Sequence, residues 1–96
     1  MKAYHISPIK NRNSILEKGL DTVDKKTGRI QYEHRLFFSI DKKDLGFDFV
    51  NFENVDCWEF EVKKSQIKKD EFSHSKNHFY IEERVDASKI KLVKSY

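Results

Sequence analysis

The run AYHISPIKNRNSILEKGL, residues 3–20, constrains the fold more than any other part of this sequence. Tyr4 and Ile6 alternate with Ala3, His5 and Ser7, the period-two pattern of a short strand with two unlike faces. A helix pattern follows almost at once. Ile9, Arg12, Ile15 and Leu16 recur at helical spacing, and Pro8 fits a first turn, where its missing N–H has no bond to lose. Two residues suit the cap: Ser7 ahead of Pro8, or Asn11 if the helix starts later. Lys18 fits the last turn, Gly19 the left-handed position after it, and Leu20 the apolar contact beyond the glycine.

The remaining chain reads mainly as strands. RLFFSI (35–40) is continuously apolar, the pattern of a strand inside a sheet. The stretch 41–56 is ambiguous, because Leu45, Phe49 and Phe52 have near-helical spacing while Gly46 and the aromatic content oppose a helix. CWEFEVKK alternates cleanly, which predicts Trp58, Phe60 and Val62 inward and Glu59, Glu61 and Lys63 outward. HFYIEERV (78–85) predicts another strand, DAS a turn, and KIKLV (89–93) a last strand. Residues 21–35 and 63–76 are polar connections. With no repeat, low-complexity stretch or linker, residues 1–96 read as one α+β domain with a largely β second half.

Composition narrows the class. At 38% hydrophobic and 36% charged, the chain stands near the border of disorder, and its eight Phe, four Tyr and Trp58 supply the burial that folds it. A net charge of +3, from 19 Lys and Arg against 16 Asp and Glu, is too small to mark a nucleic-acid binder, yet it suits an anionic ligand such as a nucleotide. The pairs Lys25-Lys26, Lys42-Lys43, Lys63-Lys64 and Lys68-Lys69 read as solvated surface. No apolar run fits a membrane-spanning helix, and MKAYHISPIK lacks the apolar stretch of a signal peptide. Cys57 stands alone, which suits a reducing compartment, so the expected location is cytoplasmic.

Three constellations bear on chemistry. His74 and His78 stand four apart, but they fall on a loop and a strand start with no third ligand nearby, so no metal site is expected. Glu61-Val62-Lys63, with Asp48 and Asp56 upstream, has the acid and acid-x-Lys arrangement of a metal-dependent nuclease, although a solvated strand face gives the same row. His5 is set apart by its place on a strand directly before a capped helix.

YHISPIKNRNSILEKGL taken whole resembles the opening of the ADP-ribosyltransferase-like superfamily: a first-strand histidine, a Ser two residues on, an Asn before a short helix, then Ser-Ile-Leu-x-x-Gly-Leu. Leu36-Phe37-Phe38-Ser39 resembles the second motif of that family, CWEFEV its central strand, and FYIEERVDASKIKLV its closing strand, turn and strand. The resemblance covers most of the chain, leaving 21–35 and 63–76 unmatched.

The resemblance implies an ADP-ribosyltransferase-like split β-fold with a cleft that binds NAD as substrate. It marks His5 for the adenosine ribose and for orienting the cofactor, with Ile6 and Ser7 beside it. It marks Phe37, where Tyr is commoner, for stacking on nicotinamide, and Ser39 for the same cleft. Arg12 and Arg35 stand as phosphate contacts by charge and location. The penultimate strand should carry an acid that stabilises an oxocarbenium-like transition state. Side-chain parity selects Glu82, with Tyr80 and His78 beside it, while counting back from Ile90 by the family's spacing lands at Tyr80 or Ile81. The implied function is transfer of ADP-ribose from NAD to a protein or nucleic-acid acceptor. The alternatives are an inactive NAD- or nucleotide-binding or inhibitory module, and the nuclease through Glu61 and Lys63. The RNA 2′-phosphotransferases share the fold and rank lower, since their second lobe and basic phosphate-holding set are missing here.

Overall fold

The computed structural model describes residues 1–22, 35–45, 54–71 and 73–96. The first strand, β1 (Lys2–Pro8), extends the predicted alternation by one residue at each end and pairs antiparallel with β3 (Val55–Glu61), from Lys2 opposite Glu61 to Pro8 opposite Val55. On its other edge β3 carries β6 (Lys91–Ser95), with a bulge between Cys57 and Trp58. A second group forms around β2 (Leu36–Ser39), which pairs antiparallel with β5 (His78–Ile81). The two-residue β4 (Lys68–Lys69) closes that side. The order is β4-β5-β2-β1-β3-β6, so β2 lies inside the sheet, as its apolar run predicts. β1 meets β2 at one register pair alone, Tyr4 opposite Ser39. Two three-stranded halves are thus joined at a narrow seam.

Burial follows the alternation on β3. Trp58, Phe60 and Val62 are 0%, 2% and 4% exposed, and each large side chain so buried contributes about 1.5–3 kcal/mol. Below the seam, Phe38 of β2 meets Phe60 of β3 edge to face, with ring centres 5.6 Å apart, so an aromatic pair joins the two halves where the backbone ladder does not.

The helix starts later than Pro8 allows. Pro8 remains extended (φ −59°, ψ 143°), a 3-10 turn occupies Ile9–Asn11, and α1 spans Arg12–Lys18. The expectation that Ser7 caps it is overturned, because the Ser7 hydroxyl accepts the Trp58 indole N–H at 2.8 Å. An indole donor sealed in the core needs an acceptor, and the buried Ser7 supplies it. Asn11 takes the N-cap position without a side-chain cap bond. Ile15 packs in the core while Leu16, also on the helical pattern, is exposed. Gly19 ends the helix at φ +85°, and Leu20 then exchanges two backbone bonds with Val85, at 2.8 and 2.9 Å.

That bridge also corrects the strand expected over 78–85. β5 stops at Ile81, opposite Leu36, the first residue of β2. Glu82 and Glu83 form a bend, and Val85 turns away to Leu20. A 3-10 turn, Ala87–Lys89, leads into β6. The ambiguity over 41–56 resolves in part: Lys42 and Lys43 form a turn and β3 takes the end, whereas Phe49 and Phe52 lie outside the described residues. The described residues make a small α+β domain with one short α-helix and a six-stranded antiparallel sheet.

Candidate functional site

Where β1 leaves β2, the backbone of β2 loses its ladder partner and a side chain replaces it. His5 Nδ1 lies 2.7 Å from the Phe37 carbonyl oxygen. A carbonyl only accepts, so Nδ1 carries the proton and Nε2 keeps its lone pair. Burial pushes the His5 pKa below 6.5, against the opposing pull of the Phe37 carbonyl, which favours the neutral ring. His5 is therefore a fixed imidazole with one acceptor nitrogen.

A cavity of about 180 Å³ opens at this seam, walled by Tyr4, His5 and Ile6 of β1, Phe37 of β2, His78 of β5 and Leu45, with Phe38 and Asp70 completing it. The Phe37 ring leans on Tyr80, its cross-strand partner, with centres 5.7 Å apart. Tyr80 is in turn covered by the Arg35 guanidinium, 4.4 Å from its ring centre, and Arg35 pairs with Glu71 at 2.8 Å. The His5 imidazole and the Phe37 ring, beside the rings of Tyr4 and Phe38, the His78 imidazole and the Asp70 carboxyl group, make a mixed wall that suits a ligand built of a flat ring and a hydroxylated sugar.

Of the residues the sequence marks, His5, Ile6 and Phe37 meet at the cavity, and Tyr80 supports Phe37. The others go elsewhere. Ser7 serves Trp58. Ser39, 2% exposed, donates its hydroxyl to the Asp41 carbonyl at 3.0 Å and accepts the Asp41 N–H at 3.1 Å, fastening the turn after β2. Arg12 forms a fork on buried Asp56, Nε to Oδ2 at 2.8 Å and Nη2 to Oδ1 at 2.7 Å, and also donates to Ser95 at 2.9 Å, stapling α1 to β3 and β6. Those guanidinium bonds, together with the Ser95 hydroxyl, hold the Asp56 carboxyl below its ordinary range. Glu82 is exposed in the bend after β5, is ion-paired with Lys68, and does not line the cavity.

His78 matters more than its sequence position suggests. Its Nε2 lies 3.1 Å from both the backbone and side-chain oxygens of Asp44, so Nε2 carries a proton, and Nδ1 is hydrogen-bonded with the Ser73 hydroxyl. Asp44 also receives the Ser75 hydroxyl and the Asn77 amide, and these bonds depress its pKa. Both nitrogens of His78 are engaged while His74 is exposed, and among the described residues no three His, Cys, Asp or Glu side chains are placed to hold a metal. No local signal marks Asp44 as the partner, since it lies 34 residues from His78. Of the residues in the nuclease pattern, Asp56 is bound to Arg12 and Glu61 pairs with the N-terminal ammonium at 3.3 Å, while Asp48 lies outside the described residues.

Compared with protein-family models, curated proteins and solved structures, the chain matches none. No helix among the described residues is long and apolar enough to cross a membrane.

Proposed function

We propose that this domain binds NAD in the seam cavity and, as an ADP-ribosyltransferase-like enzyme, passes ADP-ribose to a protein or nucleic-acid acceptor. The observation that carries the reading is the meeting of His5, Ile6 and Phe37 at one cavity where the sheet parts. The narrow joint between the two halves fits the split β-fold that the sequence resemblance implies. In this reading His5 Nε2 accepts a hydroxyl of the adenosine ribose and the Phe37 ring, steadied by Tyr80, stacks on nicotinamide. The bond between nicotinamide and ribose breaks with its electron pair leaving on nicotinamide. The acceptor then adds to the ribose carbon and loses its proton to solvent. Glu82, released from Lys68, would stabilise the positive charge that develops on the sugar.

A second reading is favoured by that same ion pair. Glu82 outside the cavity wall and paired with Lys68 suits a module that binds NAD without turning it over. Labelled NAD incubated with protein and cell lysate separates the two. The transferase reading expects label on macromolecules with wild type, a loss on the order of 10²–10³-fold in Glu82→Gln with binding kept, and lost binding in His5→Ala. Saturable NAD binding without label supports the module. Unchanged binding in His5→Ala overturns the placement of NAD at the seam.

A further inference from the structure

The two arginines marked for phosphate are both committed. Freeing Arg12 would strand the Asp56 carboxylate, which is 0% exposed, and Arg35 is held between Glu71 and Tyr80. Other cations flank the seam. The turn 41–45, leaving β2 just beyond Phe37 and Ser39, presents Lys42 and Lys43 side by side. With Leu45 and Tyr96 they line a second, more open cavity of about 340 Å³, and Leu45 walls both cavities, so the two adjoin. Lys42 Nζ sits 5.4 Å from the ring centre of Tyr4, itself part of the first cavity, and Lys94 Nζ sits 4.7 Å from that of Tyr96. None of Lys42, Lys43 and Lys94 has a carboxylate partner among the described residues.

The backbone that carries these lysines is held at both ends. Asp41 is bound to Ser39, receives the Lys43 N–H on its carboxylate at 2.9 Å and the Asp44 N–H on its carbonyl at 3.0 Å. Asp44 is gripped by His78, Ser75 and Asn77. The two acids of the turn are thus occupied with the backbone and with β5, while both amines reach solvent. Two ammonium groups on a fixed turn, one parked on an aromatic face rather than in an ion pair, are arranged for an anion.

We propose that Lys42 and Lys43 form a phosphoanhydride subsite adjoining the seam cavity. This deepens the NAD reading and rests on it for the identity of the ligand. The test titrates three probes, NAD, nicotinamide riboside and inorganic pyrophosphate, into wild type, Lys42→Ala/Lys43→Ala, and a control with equal charge loss, Lys63→Ala/Lys64→Ala. The expected result is an approximately tenfold loss of NAD and pyrophosphate affinity in the first variant, no change for nicotinamide riboside, and a change within about twofold in the control. NAD and pyrophosphate bound equally by wild type and Lys42→Ala/Lys43→Ala overturns the subsite and leaves the NAD reading standing. Equal losses in the control, or a parallel loss of nicotinamide riboside, also overturn it. Wild type that binds neither NAD nor nicotinamide riboside overturns the NAD reading, and pyrophosphate then decides the lysine site alone.

Discussion

Replacing Gly19 with alanine should remove a large part of this domain's stability. A Cβ there would stand 2.0 Å from the Val85 carbonyl oxygen, 2.8 Å from the Ala87 nitrogen and 2.9 Å from the Asp86 carbonyl carbon. All three are backbone atoms, so relief requires the segment 85–87 to move by about 1 Å or more relative to the helix end. That movement breaks the two bonds of the Leu20–Val85 bridge, together about 2 kcal/mol. Holding alanine at φ +85° and ψ −166°, a region open essentially to glycine alone, adds about 1–3 kcal/mol, and the stiffer unfolded chain returns about 0.4–1 kcal/mol. The net loss is about 3 kcal/mol, a large share of the roughly 5–14 kcal/mol expected of a chain this size. Trp58, the single tryptophan and fully buried, reports unfolding in urea by its fluorescence. The midpoint should fall by about 2–3 M at an m-value of about 1–1.5 kcal/mol/M. A loss under about 1 kcal/mol would refute the reasoning, since it would show that 85–87 slides freely and that the bridge does not anchor α1.

Two further outcomes follow from the buried polar groups. Ser7→Ala leaves the Trp58 indole N–H without its acceptor in the core and should cost about 1–3 kcal/mol in urea unfolding while leaving NAD affinity unchanged; weaker NAD binding in a folded Ser7→Ala would return Ser7 to the ligand site. Asp56 has a folded pKa below its ordinary 3.8, chiefly through Arg12, so its stabilisation is complete above that value and lost as pH falls through the lower folded pKa. Asp56→Asn should therefore flatten the acid limb of the stability–pH curve, leaving the parts due to Asp44 and Glu71; an acid limb as steep as wild type would contradict this.

The legible parts of the sequence were those governed by neighbours in the chain. The alternation of Trp58, Phe60 and Val62 has a period of two, and a strand places those side chains on one face whatever its partners are. Gly19 was legible because a helix end demands a residue tolerant of positive φ. Ser7 was not, because a hydroxyl before a proline serves equally as a cap or as the acceptor for a distant indole, and Trp58 lies 51 positions away. Glu82 shows the same limit. Parity along HFYIEERV held through Ile81, where β5 ends, and failed in the bend beyond it, where the backbone leaves the period-two path. Arg12 carried the right charge for a phosphate, but its use was set by Asp56, 44 residues on.

The seam itself explains why a histidine stands there. A sheet that parts after a single register pair opens a cavity, and it also leaves backbone carbonyls that the ladder would have satisfied. The Phe37 carbonyl is one of these, and His5 supplies its donor through Nδ1. The same bond fixes the tautomer that leaves Nε2 as an acceptor on a residue lining the cavity with Phe37, so the separation that makes room for a ligand also prepares the group that would hold it. His5→Ala consequently does two things, stranding a backbone carbonyl and removing the acceptor. A drop in NAD affinity in that variant is evidence for the ligand contact only if its urea midpoint stays close to wild type, because a loosened seam would lower both together.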